Sequence, residues 1–353
     1  MKRVLIAHGY SAKNSGDGLL VHESIELIKE AFGSEVCLTI LASYPESFSH
    51  LGVRVVGTKP TSRGYDKEYV SLLRSRFRDF DVVVGVGGGY LRAGNCLELL
   101  KTGLVMGPQL MQVARSKTPS VYLPQSIGPA RLGSRGLMAA LLRRIGTVWV
   151  RDDRSAKEFA DADVSRSPDL AILGMKRTYL PFGQNDPVVL SVRSHRGSVP
   201  EAVYVLRAKM GVVDSFIQST VGGNDDTRAV HSLLPRKVLD QASLMLRPAS
   251  AKVVVAMRLH AALMALRAGH YVIHLSYERK GFGAFSDLGL SEYVFNVHDF
   301  DPEQVRRLAQ DLLENEELRD HYDASVARAS DEVRSSRRAI VSSLQQAVGL
   351  GKK

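Results

Sequence analysis

Residues 253–270 read VVVAMRLHAALMALRAGH. The run 253–257 fits a buried strand, and 261–267 fits a short helix stopped by Gly269. Arg258 and His260 stand where the period changes. The start of a helix is the positive end of its macrodipole, so each cation there costs up to about 1 kcal/mol unless an anion offsets it. The stretch therefore predicts a strand-to-helix unit with an anion near its turn.

The same grammar runs through the chain. RVLIAH (3–8) leads through a Gly/Asn/Asp loop to an amphipathic segment at 19–32, and EVCLTIL (35–41) and VRVVG (53–57) precede a helical stretch at 65–79. DVVVGVGGG (81–89) is an apolar run ending in glycines, the mark of a central parallel strand. SVYLPQSIGP, GTVWVRD and the region 164–172 continue the series. After GMKRTYLPFGQNDP (174–187), rich in Gly, Pro and polar residues, the pattern restarts with VVLSVRSH. A helix near 235–247, the opening stretch and YVIHLSY (271–277) follow. This alternation predicts an α/β protein of two doubly wound, Rossmann-like domains facing a cleft, with ligands at the carboxyl ends of the strands. The expected bounds are 1–178, 179–330 and a C-terminal helical segment, 331–353, packing back or partly flexible.

At 353 residues the chain is long for one core, and 44% apolar with 24% charged residues is ordinary globular composition. No window approaches the ~18 apolar residues of a membrane span, and the apolar run after MKR is too short for a signal peptide. Two cysteines, Cys37 and Cys96, without metal-ligand spacing suit a reducing compartment. A cytoplasmic enzyme is expected. The net charge of +10 suits nucleic acid, an anionic membrane face or phosphorylated substrates. The basic runs are short and interleaved with apolar residues at helical spacing, and no nucleic-acid motif is present, so nucleic acid is disfavoured. Peripheral contact with an anionic membrane stays open, although no amphipathic anchor is evident.

Three loops and four strand-end cations carry candidate chemistry. In HGYSAKNSGDG (8–18), Asn14, Ser15 and Asp17 can cap the following helix, and glycines allow close backbone approach. It is either a well-capped turn or a loop whose amides face the cleft; it lacks the ending of a P-loop. In GVGGGYLRAGN (85–95), Gly87, Gly88 and Gly89 favour approach to a substrate. Tyr90 breaks the dinucleotide fingerprint, which excludes NAD. LPQSIGP (123–129) offers Gln125 and Ser126. Arg151, Arg193, Arg258 and Lys280 each follow a strand, and together they favour an anionic, phosphorylated ligand. Arg151 is equally consistent with a structural role. His260, two residues after Arg258, joins that group, and the remaining histidines form no metal-ligand spacing, so no metal is implied.

The ordered series GYSAKNSGDGLL, DVVVGVGGGYL, YLPQSIGP, VWVRDDRSAKEF, SPDLAIL, VVLSVR and MRLHAALMALRAGHYVIHLSYERKGFG resembles the polysaccharide pyruvyl transferase family over roughly residues 1–295. The resemblance implies a GT-B-like fold and transfer of pyruvate from phosphoenolpyruvate onto two sugar hydroxyls as a cyclic ketal, with phosphate released and no cofactor. It implies a glycan or glycan-precursor acceptor that is nucleotide-, lipid- or polymer-linked. It also implies an acceptor side in the N-terminal domain and a donor side in the C-terminal one. Arg258 and His260 correspond to the family's Arg-Leu-His site, Arg193 to a second strand-end arginine, and Lys280 to a Tyr-x-x-Lys position. Arg92 stands where the family commonly has an acidic residue. His260 is then the proton donor, neutral at a bare helix start and protonated once an anion binds. A sugar-nucleotide glycosyltransferase of the same architecture and a non-catalytic sugar- or anion-binding protein are the alternatives.

Overall fold

The computed structural model describes residues 1–350 apart from 132, 184–185, 221–224 and 247. The chain divides into two units. The first comprises 1–12, 17–173 and 333–353; the second comprises 13–16 and 174–332. The cut after Leu173 falls five residues before the boundary expected from the sequence, and the last helix, Glu316–Leu350, contributes to both units. Within the first unit, Arg337 on that helix pairs with Glu30 at 2.7 Å and donates to the Leu173 carbonyl at 3.1 Å.

The first unit is built on β1 (Lys2–Gly9), β2 (Val36–Ala42), β3 (Arg54–Gly57), β4 (Val82–Gly85), β5 (Gly88–Ala93), β6 (Ser120–Ala130), β7 (Thr147–Val150) and β8 (Val164–Arg166). Their order is β3-β2-β1-β4-β6-β7-β8, with β5 also on β6, and every pairing is parallel. Val82–Gly85 is buried throughout, as a central parallel strand covered on both faces must be. The order reverses between β1 and β4, so the loops after these strands flank a topological switch point.

The second unit repeats the plan with β9 (Val188–Ser191), β10 (Val213–Phe216), β11 (Val238–Leu239), β12 (Val253–Ala256), β13 (Tyr271–Ser276) and β14 (Val294–Asn296). The order is β11-β10-β9-β12-β13-β14, again parallel, with the switch point between β9 and β12. These are the α/β, Rossmann-like sheets expected. Two local readings differ. The helix expected near 235–247 is instead the edge strand β11 followed by a π-helical turn, Ala242–Leu246, because Val238 and Leu239 pair with Ser215 and Phe216; residue 247 lies outside the described residues. The glycine run after β4, expected as a loop, opens β5.

Three buried histidines make the fold acid-sensitive. Burial lowers His8 to about 3 and His270 and His274 to about 4. His270 accepts the Lys252 N–H at Nδ1 and donates from Nε2 to the Leu244 carbonyl, which fixes one neutral tautomer. Each stays neutral when folded but protonates near 6.5 when unfolded. Their contribution is therefore complete above that pH and is lost as pH falls toward the folded values. We expect each to cost about 1.4 kcal/mol of stability per pH unit between about pH 6.5 and about pH 4. Denaturant midpoints measured across that range check this; a flat profile contradicts it.

Candidate functional site

In the second unit, strand register decides which residues share an edge. Ala256 on β12 lies beside Ser191 on β9 and His274 on β13. Two residues further on, Arg193, Arg258 and Ser276 therefore leave the sheet at one level. Arg258 is the N-cap of the helix Leu259–Arg267, in extended backbone, with no side-chain cap. Its Nε and Nη2 donate to the two oxygens of Asp226 at 2.5 and 2.7 Å. Both side chains are withdrawn from water, Asp226 almost completely. Burial pushes the Asp226 carboxyl up against the pull of Arg258 and, more weakly, of Arg193. The anion that the sequence requires at this helix start is thus supplied, at Arg258, by a carboxylate of the chain.

Arg193 is held by Tyr277: its Nη1 donates to the phenol oxygen at 3.0 Å and its guanidinium lies 5.3 Å from the ring centroid. His195 packs on the same ring, 4.9 Å between centroids. Lys280, in the first turn of the helix Arg279–Asp287, pairs with Glu278 at 2.8 Å. His260 lies in the first turn of its helix, against Gly16. A Cβ at position 16 would stand 2.4 Å from the His260 Nδ1, so only glycine admits the ring. The strip 13–16 belongs to this unit: Asn14 bridges to Ser219, the Asn14 Oδ1 accepts the Gly16 N–H at 3.2 Å, and the Ser15 hydroxyl donates to the Gln218 carbonyl.

In the first unit, a cavity of about 510 Å³ lies over the β1/β4 switch point, lined by Gly87, Gly88, Gly89, Asp17, Tyr44 and Lys59, with His8 and Tyr90 at one wall. Its glycines serve packing as well as access. A Cβ on Gly87 would lie 2.7 Å from the Pro124 carbonyl oxygen, and Gly88 has φ +145°. His8, next to last in β1, has φ +68°, a left-handed conformation uncommon outside glycine. Its N–H donates to Gln109 Oε1 (2.9 Å), its Nε2 lies 2.7 Å from the Tyr122 hydroxyl, and its ring stacks on Tyr90 at 4.7 Å. The buried Nδ1 has no hydrogen-bond partner among the described residues.

The polysaccharide pyruvyl transferase family model matches residues 14–279. The chain belongs to that family. No curated protein matches the sequence. Solved structures share its GT-B-like fold at low identity. The structure of Acinetobacter baumannii MurG aligns at TM-score 0.52 with 12% identity, over 98% of this chain and 100% of that one. A UDP-GlcNAc 2-epimerase from Methanocaldococcus jannaschii gives 0.52 and 8%, over 90% and 94%. The lipopolysaccharide outer core galactosyltransferase WaaB gives 0.51 and 9%, over 97% and 99%. At these identities the likeness is one of fold alone.

For a pyruvyl transferase family member, the residues singled out from sequence fall into two groups. Arg193, Arg258, His260, Lys280 and Asn14 lie in the second unit; Gly87, Gly88, Gly89, Asp17, Gln125 and Arg92 lie in the first. Gln125 is fully buried on β6 beside Gly88, and neither amide atom has a partner among the described residues. Arg92, on β5, is half-exposed and pairs with Glu98 at 3.4 Å, so a carboxylate does stand beside the position where the family commonly has one. Arg151 is buried in an ion pair with Asp169 and donates to the Ser126 hydroxyl at 3.0 Å, a structural tie between strand ends. Asp226 and His8 have no role assigned from the sequence, and Tyr277 enters there only as the tyrosine of Tyr-x-x-Lys. The only local signals were an acidic pair after a strand (225–226), the tyrosine of the Tyr-x-x-Lys motif, and a histidine before a strand-end glycine.

Gly16 gives the site a sharp steric test. Gly16→Ala should leave the fold intact, because alanine suits a helix start, while displacing the His260 ring. With His260 as the proton donor that the family resemblance implies, turnover is expected to fall about a hundredfold, the typical result of an ångström-scale misplacement of a reacting group. Steady-state kinetics beside a thermal melt would check it; unaltered turnover contradicts that role for His260.

Proposed function

We propose that the protein transfers pyruvate from phosphoenolpyruvate to two hydroxyls of a sugar in a glycan or glycan precursor, forming a ketal and releasing phosphate. The observation that carries this reading is the cluster of Arg193, Arg258 and His260 at one sheet edge of the second unit, in a chain of this family. Phosphoenolpyruvate brings a carboxylate and a phosphate. Planar, permanently charged guanidinium groups suit both, and here each is pre-oriented, Arg193 by Tyr277 and Arg258 by Asp226.

In the proposed reaction His260 gives a proton to the methylene carbon of the enol while a sugar hydroxyl forms a bond to the adjacent carbon. A second hydroxyl then bonds to the same carbon, and the C–O bond to phosphate breaks. Each hydroxyl loses one proton: one replaces the proton that His260 gave to the methylene carbon and the other leaves with inorganic phosphate, and one enol double bond is consumed. No cofactor is needed. The aromatic and glycine-lined cavity of the first unit is the proposed acceptor site. The test is phosphoenolpyruvate-dependent phosphate release over a panel of nucleotide-, lipid- and polymer-linked sugars. Release of a nucleoside diphosphate from a sugar nucleotide, without phosphate from phosphoenolpyruvate, would replace this reading with a glycosyltransferase.

A further inference from the structure

The helix Cys96–Lys101 has the sequence CLELLK, yet none of its residues is buried. It runs on through a π-helical turn, Thr102–Met106, into the helix Gly107–Arg115. Leu97, Leu100 and Leu104 recur at a spacing of three and four residues, which places them on one face, and they are 61%, 58% and 48% exposed. Two helical turns presenting leucine to water are unfavourable by the area they leave wet, so an apolar cover is the expected reason for them.

The surrounding charge says what covers them. Lys101 is exposed in the same helix. The Tyr65 hydroxyl donates to the Leu104 carbonyl at 2.6 Å, and Arg63, two residues before Tyr65 in the chain, is exposed. The nearby carboxylates are engaged: Glu98 by Arg92 and the Gly94 N–H, and Asp66 by the N–H groups of Glu68 and Tyr69. An apolar stripe with an exposed lysine among its leucines, and its one carboxylate paired, is the pattern of an interfacial helix on an anionic bilayer. Three leucines fall short of the ~800 Å² that each partner of a stable dimer buries.

We propose that the segment 96–104 docks the protein on an anionic membrane surface through Leu97, Leu100 and Leu104. Lys101 and Thr102 on the same segment line the cavity of the first unit, so docking would bring that cavity to the headgroups. A lipid-linked acceptor then follows only if the function proposed above holds; the docking does not depend on it.

Flotation of the full chain with vesicles tests the docking without any assay of activity. The protein should float with equal parts phosphatidylcholine and phosphatidylglycerol and not with phosphatidylcholine alone, and high salt should weaken the binding. The variant L97S/L100S/L104S should bind about tenfold less or weaker. Its leucines are exposed, so the fold should survive, which circular dichroism would confirm. Independently, R63E/K101E should lose the preference for phosphatidylglycerol. Absence of flotation by the unaltered protein, or equal flotation by the leucine variant, would overturn the proposal. So would a dimer seen by light scattering that the leucine variant abolishes, since a second copy would then be the cover.

Discussion

His260→Ala should abolish phosphate release from phosphoenolpyruvate, by about a thousandfold or more, while leaving affinity for phosphoenolpyruvate within about threefold; general acids typically supply 10²–10⁴-fold. The reasoning is positional. His260 sits in the first turn of its helix with its ring against Gly16, whereas Arg193 and Arg258 stand at the neighbouring strand ends. Charge for holding the donor therefore remains when the imidazole is removed. Arg193→Ala should do the opposite, weakening donor binding more than it slows the bound complex, because it removes a cation from the donor's anionic groups. Phosphate release under saturating donor, beside calorimetric titration with phosphoenolpyruvate, separates the two. A His260 variant that loses affinity but keeps turnover would remove His260 from the role of acid.

Much of this was legible in the sequence because parallel strands buried on both faces write themselves as apolar runs. Val253–Ala256 and Val82–Gly85 are such runs, and each is a fully buried strand. The strand-end cations could be read for the same reason: a charge directly after a buried run has to leave at the sheet edge. What could not be read depends on which strands are neighbours. Asp226 meets Arg258 across 32 residues, at the start of the helix after β12, and nothing local in the pair 225–226 signals it. His8 has its importance from a left-handed backbone and from Gln109 and Tyr122, about a hundred residues away. The glycines at 87–89 favour substrate approach over packing on sequence grounds, but the Pro124 carbonyl makes the first of them a packing requirement too. The leucines at 97, 100 and 104 have core-like helical spacing, and only the structure shows them 61%, 58% and 48% exposed.

Asp226→Ala should lower stability by about 3–5 kcal/mol, the usual penalty for stripping one partner from a buried ion pair. Asp226 is 2% exposed, and it neutralises a guanidinium seated at the positive end of a helix dipole. Removing the carboxylate leaves a desolvated cation that the dipole opposes. Asp226→Asn should cost less, since the amide oxygen still accepts from Arg258. Denaturation is best followed by circular dichroism, because the sole tryptophan, Trp149, lies in the first unit. The pair also bears on the ligand. If an anion is what this edge is built to meet, phosphate or phosphoenolpyruvate should stabilise Asp226→Ala more than the unaltered protein, by mass action on a site with a newly unpaired charge. Equal denaturation midpoints for Asp226→Ala and the unaltered protein would show that Arg258 is not buried with this partner. A destabilised variant that neither anion rescues would show instead that Arg258 is a structural cation, leaving donor binding to Arg193.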